Sequence, residues 1–155
     1  MNQSALIHPR PWNRSKPSDR WGTPLALFQY LDAVFRFELD VCALPGESLC
    51  PRAFTPEDDG LAQPWSGRIW MNPPYSPLGA IVPWVRKAAE TAQAGKGLVM
   101  ALLPARTDAG WWQDWVAPHA DIRFLRGRLK FGGASNNAPF PSALALYWPR
   151  PRGCR

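Results

Sequence analysis

The chain has 155 residues, a length typical of a single domain that can bury a core without disulfide or metal staples. Eighteen lysines and arginines against twelve acidic residues give a formal net charge of +6, which favours a polyanionic partner. No apolar run approaches the roughly 20 residues of a membrane span, and no secretory signal opens the sequence. We therefore expect a cytoplasmic protein with no membrane partner.

The cysteines exclude two further classes of protein. Cys42, Cys50 and Cys154 cannot all pair within one chain, and no Cys-x-x-Cys spacing occurs. Reduced thiols are therefore expected, with neither a disulfide framework nor a metal site.

The first predicted segment is a flexible, proline-rich tail over residues 1–18, followed by one folded domain over 19–150 and a short basic tail over 151–155. The domain opens with a helix that Thr23 caps and Pro24 begins. Its apolar face is predicted from the spacing of Leu25, Phe28, Leu31 and Phe35.

The middle of the chain alternates strands with helices. After a short strand over 37–41, residues 43–66 carry four prolines and predict loops with at most one short strand. A buried strand over 68–71 then precedes a helix over 81–93.

The last predicted elements are a strand over 97–103, a helix capped by Asp108 that carries Trp111, Trp112 and Trp115, and strands over 122–125 and 143–148. Strands that alternate with helices predict an α/β fold with a mostly parallel sheet and helices on both faces.

The segment Asn72-Pro73-Pro74-Tyr75 ends the strand over 68–71 and is the strongest functional signal. Polar residues at the carboxyl end of a strand lie where open α/β sheets bind ligands. The two prolines fix their own φ angles and restrict the residue before each, so they hold one amide and one ring in a rigid relation.

That arrangement suits methylation of an exocyclic amino group. The lone pair of such a nitrogen is spread into its ring, so the nitrogen is a poor nucleophile. The Asn72 side-chain oxygen and the Pro73 carbonyl could accept its two N–H bonds and offset the charge that develops during attack on a methyl sulfonium. Tyr75 would stack on a base that has been swung out of the duplex.

The wider pattern resembles the phage and prophage family of DNA N6-adenine methyltransferases. The matching pieces occur in the family's order over roughly residues 19–148: Trp21-Gly-Thr-Pro, Phe37-Glu-Leu-Asp-Val-Cys-Ala, Phe54-Thr-Pro-Glu-Asp-Asp-Gly-Leu, Trp70-Met-Asn-Pro-Pro-Tyr, Leu103-Pro-Ala-Arg-Thr-Asp and Arg126-Gly-Arg-Leu-Lys-Phe. The resemblance implies a Rossmann-like methyltransferase domain, S-adenosylmethionine as cofactor and DNA as substrate.

The resemblance also assigns cofactor contacts. It places Trp21, Thr23 and Pro24 near the methionine end of the cofactor and Asp40 near its amino group. The pair Asp58-Asp59 resembles the acid that meets the adenosine part, although Asp59 fits a loop-capping role equally well. Family members carry a glycine-rich loop after the first acid, whereas this chain has the single late glycine Gly46.

Basic residues suggest the DNA contacts. Arg106 follows a strand at the ligand edge and could hold a phosphate or pair with Asp108. Arg126, Arg128 and Lys130 alternate along a predicted strand face, where phosphate contact competes with a solvated surface. The Trp-rich helix fits core packing better than base stacking, and the loop from Asn136 to Phe140 could approach the bound base.

Two other functions remain open at this point. Asn-Pro-Pro-Tyr also serves methyltransferases that act on RNA adenine or on a protein glutamine. A DNA-binding module with weak catalysis would explain the missing glycine loop. The sequence does not determine the oligomeric state.

Overall fold

A computed structural model describes residues 21–76 and 80–151. The predicted tail over 1–18 and most of the predicted tail over 151–155 lie outside the described residues. The elements are, in chain order, α1 (Leu25–Phe35), β1 (Leu39–Asp40), β2 (Arg52–Ala53), β3 (Gly67–Met71), α2 (Val82–Gln93), β4 (Gly97–Pro104), α3 (Gly110–Trp115), β5 (Asp121–Phe124) and β6 (Ser142–Tyr147). These bounds confirm the predicted α/β class.

The six strands form one sheet in the order β2-β1-β3-β4-β6-β5. The neighbour pairs from β2 to β4 are parallel, whereas β6 is antiparallel to both β4 and β5. Because β4 and β5 each oppose β6, they run in the same direction. The sheet is therefore mixed, and the prediction of a mostly parallel sheet holds only for its β2-β1-β3-β4 half.

Helices cover both faces of the sheet, as predicted. Alternate residues of a strand point to opposite faces, so Ile69 and Met71 of β3 pack with the cluster under α2 and α3, while Trp70 packs with the cluster under α1. In the α1 cluster Phe28 meets the Trp70 ring edge-on, at 5.4 Å between ring centroids. Leu25, predicted on the apolar face of this helix, is instead 57% exposed.

Both predicted helix caps are wrong. Pro24 is the N-cap of α1 and Ala109 that of α3, and neither helix start has a side-chain cap bond. The Thr23 hydroxyl instead accepts a hydrogen bond from a distant amide. The Thr23 hydroxyl, which the local pattern predicted as the cap of α1, therefore bonds to Asn72, a residue far away in the sequence.

The segment that follows β5 is also not a strand. β5 ends at Phe124, and the chain then bends through Gly127, whose φ is +76°. Arg126, Arg128 and Lys130 are exposed nonetheless, while Leu125 and Leu129 pack against the α1 cluster. The alternating basic residues therefore lie in an exposed loop and not on one face of a strand.

The part of the chain that the structure describes, residues 21–76 and 80–151, lacks two kinds of feature. These residues contain no helix that is long and apolar enough to cross a membrane. They also contain no cluster of three or more His, Cys, Asp or Glu side chains that could hold a metal ion.

Candidate active site

The carboxyl ends of β1 and β3 form a crevice in the sheet. From β1 the chain moves outward to β2 and then returns to the other side of β1 as β3. Open α/β sheets bind ligands at such a reversal of strand order. Asp40 ends β1 and Asn72 follows β3, so both lie at this point, and both side chains are buried.

Asp40 and Asn72 line one cavity of about 390 Å³, here named the Asp40 cavity. Thr23 also lines it, so the structure brings together three residues that the sequence predicted at the site. Asp40 accepts a hydrogen bond from the main-chain nitrogen of Cys42 at 3.2 Å. Burial, and secondarily the charge of Asp40, raises the pKa of Cys50 to about 12, so that thiol stays neutral near the crevice.

The Asn72 amide has a fixed orientation. Its nitrogen donates to the main-chain oxygen of Trp21 at 2.6 Å and to Thr23 Oγ1 at 3.1 Å. Because a carbonyl oxygen can only accept, the nitrogen side of the amide must face Trp21. The side-chain oxygen of Asn72 is therefore turned toward Tyr75.

Tyr75 bonds to that oxygen. Its hydroxyl lies 2.8 Å from Asn72 Oδ1 and 3.0 Å from the main-chain oxygen of Leu102, and it can donate its single proton to either. Pro73 and Pro74, between the two side chains, are buried. The rigid loop predicted from the two prolines thus carries a hydrogen-bonded amide and phenol.

The Tyr75 ring lines a different cavity of about 680 Å³, here named the Tyr75 cavity. Trp21, Arg106, Trp111 and Phe140 also line it. Phe140 meets the Tyr75 ring nearly perpendicularly, with the ring centroids 5.7 Å apart. The Asn72–Tyr75 hydrogen bond therefore joins two cavities, one with a buried carboxylate and one with aromatic walls.

A third cavity of about 610 Å³ adjoins both and is lined by the loop over 132–137. It shares Gly22 and Gly132 with the Asp40 cavity, and it shares Trp21 with the Tyr75 cavity. Gly22 and Gly132 form an antiparallel bridge, with a 2.8 Å bond from the Gly132 nitrogen to the Gly22 oxygen. Asn136, predicted near a bound base, lines this third cavity.

Sequence reasoning missed these glycines. The sequence indicated only that no glycine-rich loop follows Asp40, whereas in the structure Gly22, Gly132 and Gly133 line the Asp40 cavity. The adjacent glycines Gly132 and Gly133 were the sequence feature that could have indicated this wall of the cavity. Nothing local connects that pair to the crevice, because the bridge spans more than a hundred residues.

Asp58 and Asp59 lie in the loop after β2. Asp58 accepts bonds from the nitrogen and hydroxyl of Thr55 at 2.8 and 2.9 Å, and these bonds lower the pKa of its carboxyl. Asp59 has a φ of +52° and lies close enough to Lys87 that its charge opposes the lowering of that amine's pKa by burial. Asp59 is not among the residues that line the Asp40 cavity, and its contact with the cofactor stays a prediction.

The predicted DNA contacts share the edge of the sheet that carries Asn72. Arg106 follows β4 and lines the Tyr75 cavity. Arg126, Arg128 and Lys130 follow β5 and are exposed. Pro24, predicted at the cofactor, caps α1 beside Thr23. Trp112 is buried in the core, as the structural interpretation of the Trp-rich helix predicted, while Trp111 reaches the cavity.

Comparison with known proteins identifies related sequences. The profile of a family described as DNA N-6-adenine-methyltransferase (Dam) matches residues 13–145. The chain is 31% identical to a DNA N-6-adenine-methyltransferase of Haemophilus phage HP1, over 89% of this chain and 84% of that protein. It is 28% identical to one of Escherichia phage T1, over 72% of this chain and 46% of that longer protein.

Proposed function

The chain belongs to the family of DNA N-6-adenine-methyltransferases (Dam) and methylates the N6 amino group of adenine in DNA; we propose that S-adenosylmethionine is its methyl donor and that Asn72-Pro73-Pro74-Tyr75 is its catalytic loop. The observation that carries this assignment is the Asn72–Tyr75 hydrogen bond at the junction of the Asp40 and Tyr75 cavities. The donor would occupy the first cavity and the adenine the second.

The charged and apolar residues that line the Asp40 cavity fit the methyl donor. A buried carboxylate is costly unless a cation or hydrogen-bond donors compensate it. Asp40 and the exposed Glu47 both line the cavity, together with Leu44 and Leu49. Carboxylates beside leucines suit a ligand that carries ammonium, hydroxyl and apolar groups. Asp40 would hold the ammonium group, and Thr23 lines the same cavity. The contacts of Trp21 and Pro24 with the cofactor stay predictions.

When bound, the cofactor supplies a methyl group on a positively charged sulfur. The chain orients adenine N6 toward that group. Asn72 Oδ1 and the Pro73 carbonyl accept the two N6–H bonds, which localises the nitrogen lone pair and offsets its developing positive charge. An amide oxygen has two lone pairs, so it can accept from Tyr75 and from N6 together. N6 would gain a bond to the methyl carbon as the bond from that carbon to sulfur breaks and leaves its electron pair on sulfur, and N6 would release one proton to solvent.

Tyr75 and its aromatic neighbours hold the adenine. A base inside a duplex is out of reach and must be extruded into a pocket. The Tyr75 ring is half-buried and sits among perpendicular rings, so the adenine can stack on it. Arg106, Arg126, Arg128 and Lys130 would contact the phosphates of the DNA.

With β6 as its single reversed strand, the sheet supports a Rossmann-like methyltransferase fold. We expect the enzyme to meet DNA in the cytoplasm of a bacterial host.

Nucleoside mass spectrometry tests this function. DNA is incubated with enzyme and S-adenosylmethionine, digested and analysed for N6-methyladenine, while RNA and a protein extract are treated in parallel. Wild type should modify adenine in DNA. Asn72→Ala should bind the cofactor but lose more than about tenfold in kcat, a change of about 1.4 kcal/mol in the barrier. Methyl transfer mainly to RNA or protein, or an Asn72→Ala variant with wild-type kcat, would contradict the assignment.

A further inference from the structure

Phe124 is an aromatic side chain in an unusual place. It is 64% exposed although it ends a strand of the central sheet. Its register partner is Ala143 of β6, which in turn pairs with Leu103 of β4. Phe124 therefore lies at the carboxyl edge of the sheet, the edge at which Asn72 follows β3.

The Phe124 ring packs against a buried aromatic side chain. It stacks on Trp112 with 6.4 Å between ring centroids and 16° between ring planes. Trp112 is fully buried, and its neighbour Trp111 meets it edge-on and lines the Tyr75 cavity. A continuous row of three aromatic rings thus runs from that cavity to Phe124, which holds the exposed ring in a defined position.

The chain next to Phe124 is rich in basic residues. Arg123, Arg126, Arg128 and Lys130 are all exposed, and the sequence has no acidic residue after Asp121. Within residues 21–76 and 80–151, the ion pairs are Arg68–Glu38 and Arg86–Glu90, which do not involve these four side chains. An exposed apolar ring near exposed basic side chains fits a polyanion that also has apolar rings. Nucleic acid is such a polyanion.

We propose that Phe124 packs into the DNA base stack beside the extruded adenine, with Trp112 as its support. This inference rests on the proposed function. β5 lies two strands from β4, about 10 Å at the usual strand spacing, and Pro104 at the end of β4 lines the Tyr75 cavity. Removal of a base leaves an apolar gap in the duplex, and proteins that distort DNA insert apolar side chains into such positions. Phe124 stabilises the open duplex while Tyr75 holds the base.

Two duplex substrates distinguish a role of Phe124 in extruding the adenine from a role in methyl transfer. The adenine that wild type methylates is placed in an oligonucleotide duplex, opposite either thymine or an abasic position. Extrusion is already favoured in the second duplex because the base has no partner. Phe124→Ala should lower kcat/KM on the paired duplex by about fivefold or more, the scale of one lost base–aromatic contact. On the abasic duplex it should retain nearly wild-type kcat/KM.

Two variants serve as controls. Phe124→Leu keeps an apolar side chain and should retain an intermediate rate on the paired duplex. Tyr30→Ala removes a ring that is 75% exposed on α1, over the opposite face of the sheet, and should match wild type on both duplexes. With 2-aminopurine as the target base, its fluorescence on binding should rise less in Phe124→Ala than in wild type.

An equal loss on both duplexes, or no loss on either, would overturn the role of Phe124. Failure of the proposed function looks different, because wild type itself would then transfer no methyl group to adenine in either duplex.

Discussion

At the level of single residues, Tyr75 does more than its place in the sequence indicated. The sequence predicted a ring for stacking, whereas the structure adds a hydroxyl bonded to Asn72 Oδ1. This bond helps to fix the oxygen that we propose as the acceptor for N6–H. The two contributions of Tyr75 can be separated because phenylalanine keeps the ring and loses only the hydroxyl.

Tyr75→Phe should lower kcat by about 2- to 12-fold, the equivalent of one net hydrogen bond of about 0.5–1.5 kcal/mol. The KM for DNA should change little. Tyr75→Ala should lose both contributions and raise this KM as well, while Tyr75→Trp should keep partial activity. Steady-state kinetics with tritiated cofactor measure both constants. If Tyr75→Phe is as inactive as Tyr75→Ala, stacking contributes nothing measurable.

Thr23 tests whether the segment before α1 binds the cofactor or orients the amide. Its hydroxyl accepts from the Asn72 nitrogen at 3.1 Å. Thr23→Val has nearly the same shape and removes that acceptor, so kcat should fall by about 2- to 12-fold. Thr23→Ser keeps the hydroxyl and should remain close to wild type.

Calorimetry with S-adenosylmethionine distinguishes the two roles of Thr23. An orienting role predicts an unchanged dissociation constant for the cofactor in Thr23→Val. A rise in that constant with unchanged kcat would instead support the cofactor contact that the sequence predicted.

At the level of elements, the loop between β2 and β3 supports the end of β1. A Cβ at Gly60 would overlap the main-chain oxygen of Val41, which directly follows Asp40. Trp65 Nε1 donates to the Gly60 oxygen at 2.8 Å, and Lys87 donates to the oxygens of Leu61 and Gln63. The Asp-Asp-Gly-Leu sequence thus has a packing role that its resemblance to a cofactor-binding segment did not indicate.

Gly60→Ala should therefore displace this loop from Val41. Overpacking of this kind costs about 1–3 kcal/mol, which for a domain of this size lowers Tm by several degrees, about 2–4 °C for each kcal/mol. Cofactor affinity should fall as well, because Asp40 adjoins the displaced backbone. Gly110→Ala is the matched control, since a Cβ there meets no atom within 4 Å.

Thermal denaturation and cofactor titration of both variants give the result. A Gly60→Ala protein with wild-type Tm would show that the loop moves without cost and that the contact with Val41 does not position Asp40.

At the level of the whole molecule, the carboxyl edge of the sheet gathers the polar and basic groups. Asp40 ends a parallel strand, Asn72 and Arg106 follow parallel strands, and Arg126, Arg128 and Lys130 follow β5 at the same edge. Four basic side chains thus follow strands at the edge of the sheet at which we propose that adenine enters.

Replacement of Arg126, Arg128 and Lys130 by glutamine should reduce the salt dependence of DNA binding. Each phosphate neutralised contributes a slope of about −0.9 in log K against log salt, so the triple variant should flatten that slope by about 2–3 units. Binding to all DNA sequences should weaken alike, and kcat at saturating DNA should persist. Fluorescence anisotropy over a range of salt concentrations measures the slope.

An unchanged slope would identify these three side chains as a solvated surface. A relaxed preference at one or two base positions, with the slope retained, would indicate base reading in place of phosphate contact.

The sequence by itself determined the elements and the chemistry. Apolar patterns located the helices and the strands other than β2 to within a few residues, because the burial of one face is a local property of helix and strand geometry. β2 lies in the proline-rich segment that was predicted as loops with at most one short strand. The resemblance carried by Asn72-Pro73-Pro74-Tyr75 and its accompanying segments indicated the family that the comparisons then showed. Both kinds of information lie within short stretches of the chain.

Only the tertiary structure decided how those stretches meet. Thr23 bonds to Asn72 across 49 positions, and Gly22 bridges Gly132 across more than a hundred. The same contacts explain one wrong prediction, since Thr23 does not cap α1 and its hydroxyl bonds to a distant partner. They also show that Gly22 and Gly132 line the Asp40 cavity, although no glycine-rich loop follows Asp40. A hydrogen bond between residues far apart in sequence leaves no periodic trace in either segment, since it depends on the sheet that brings them together.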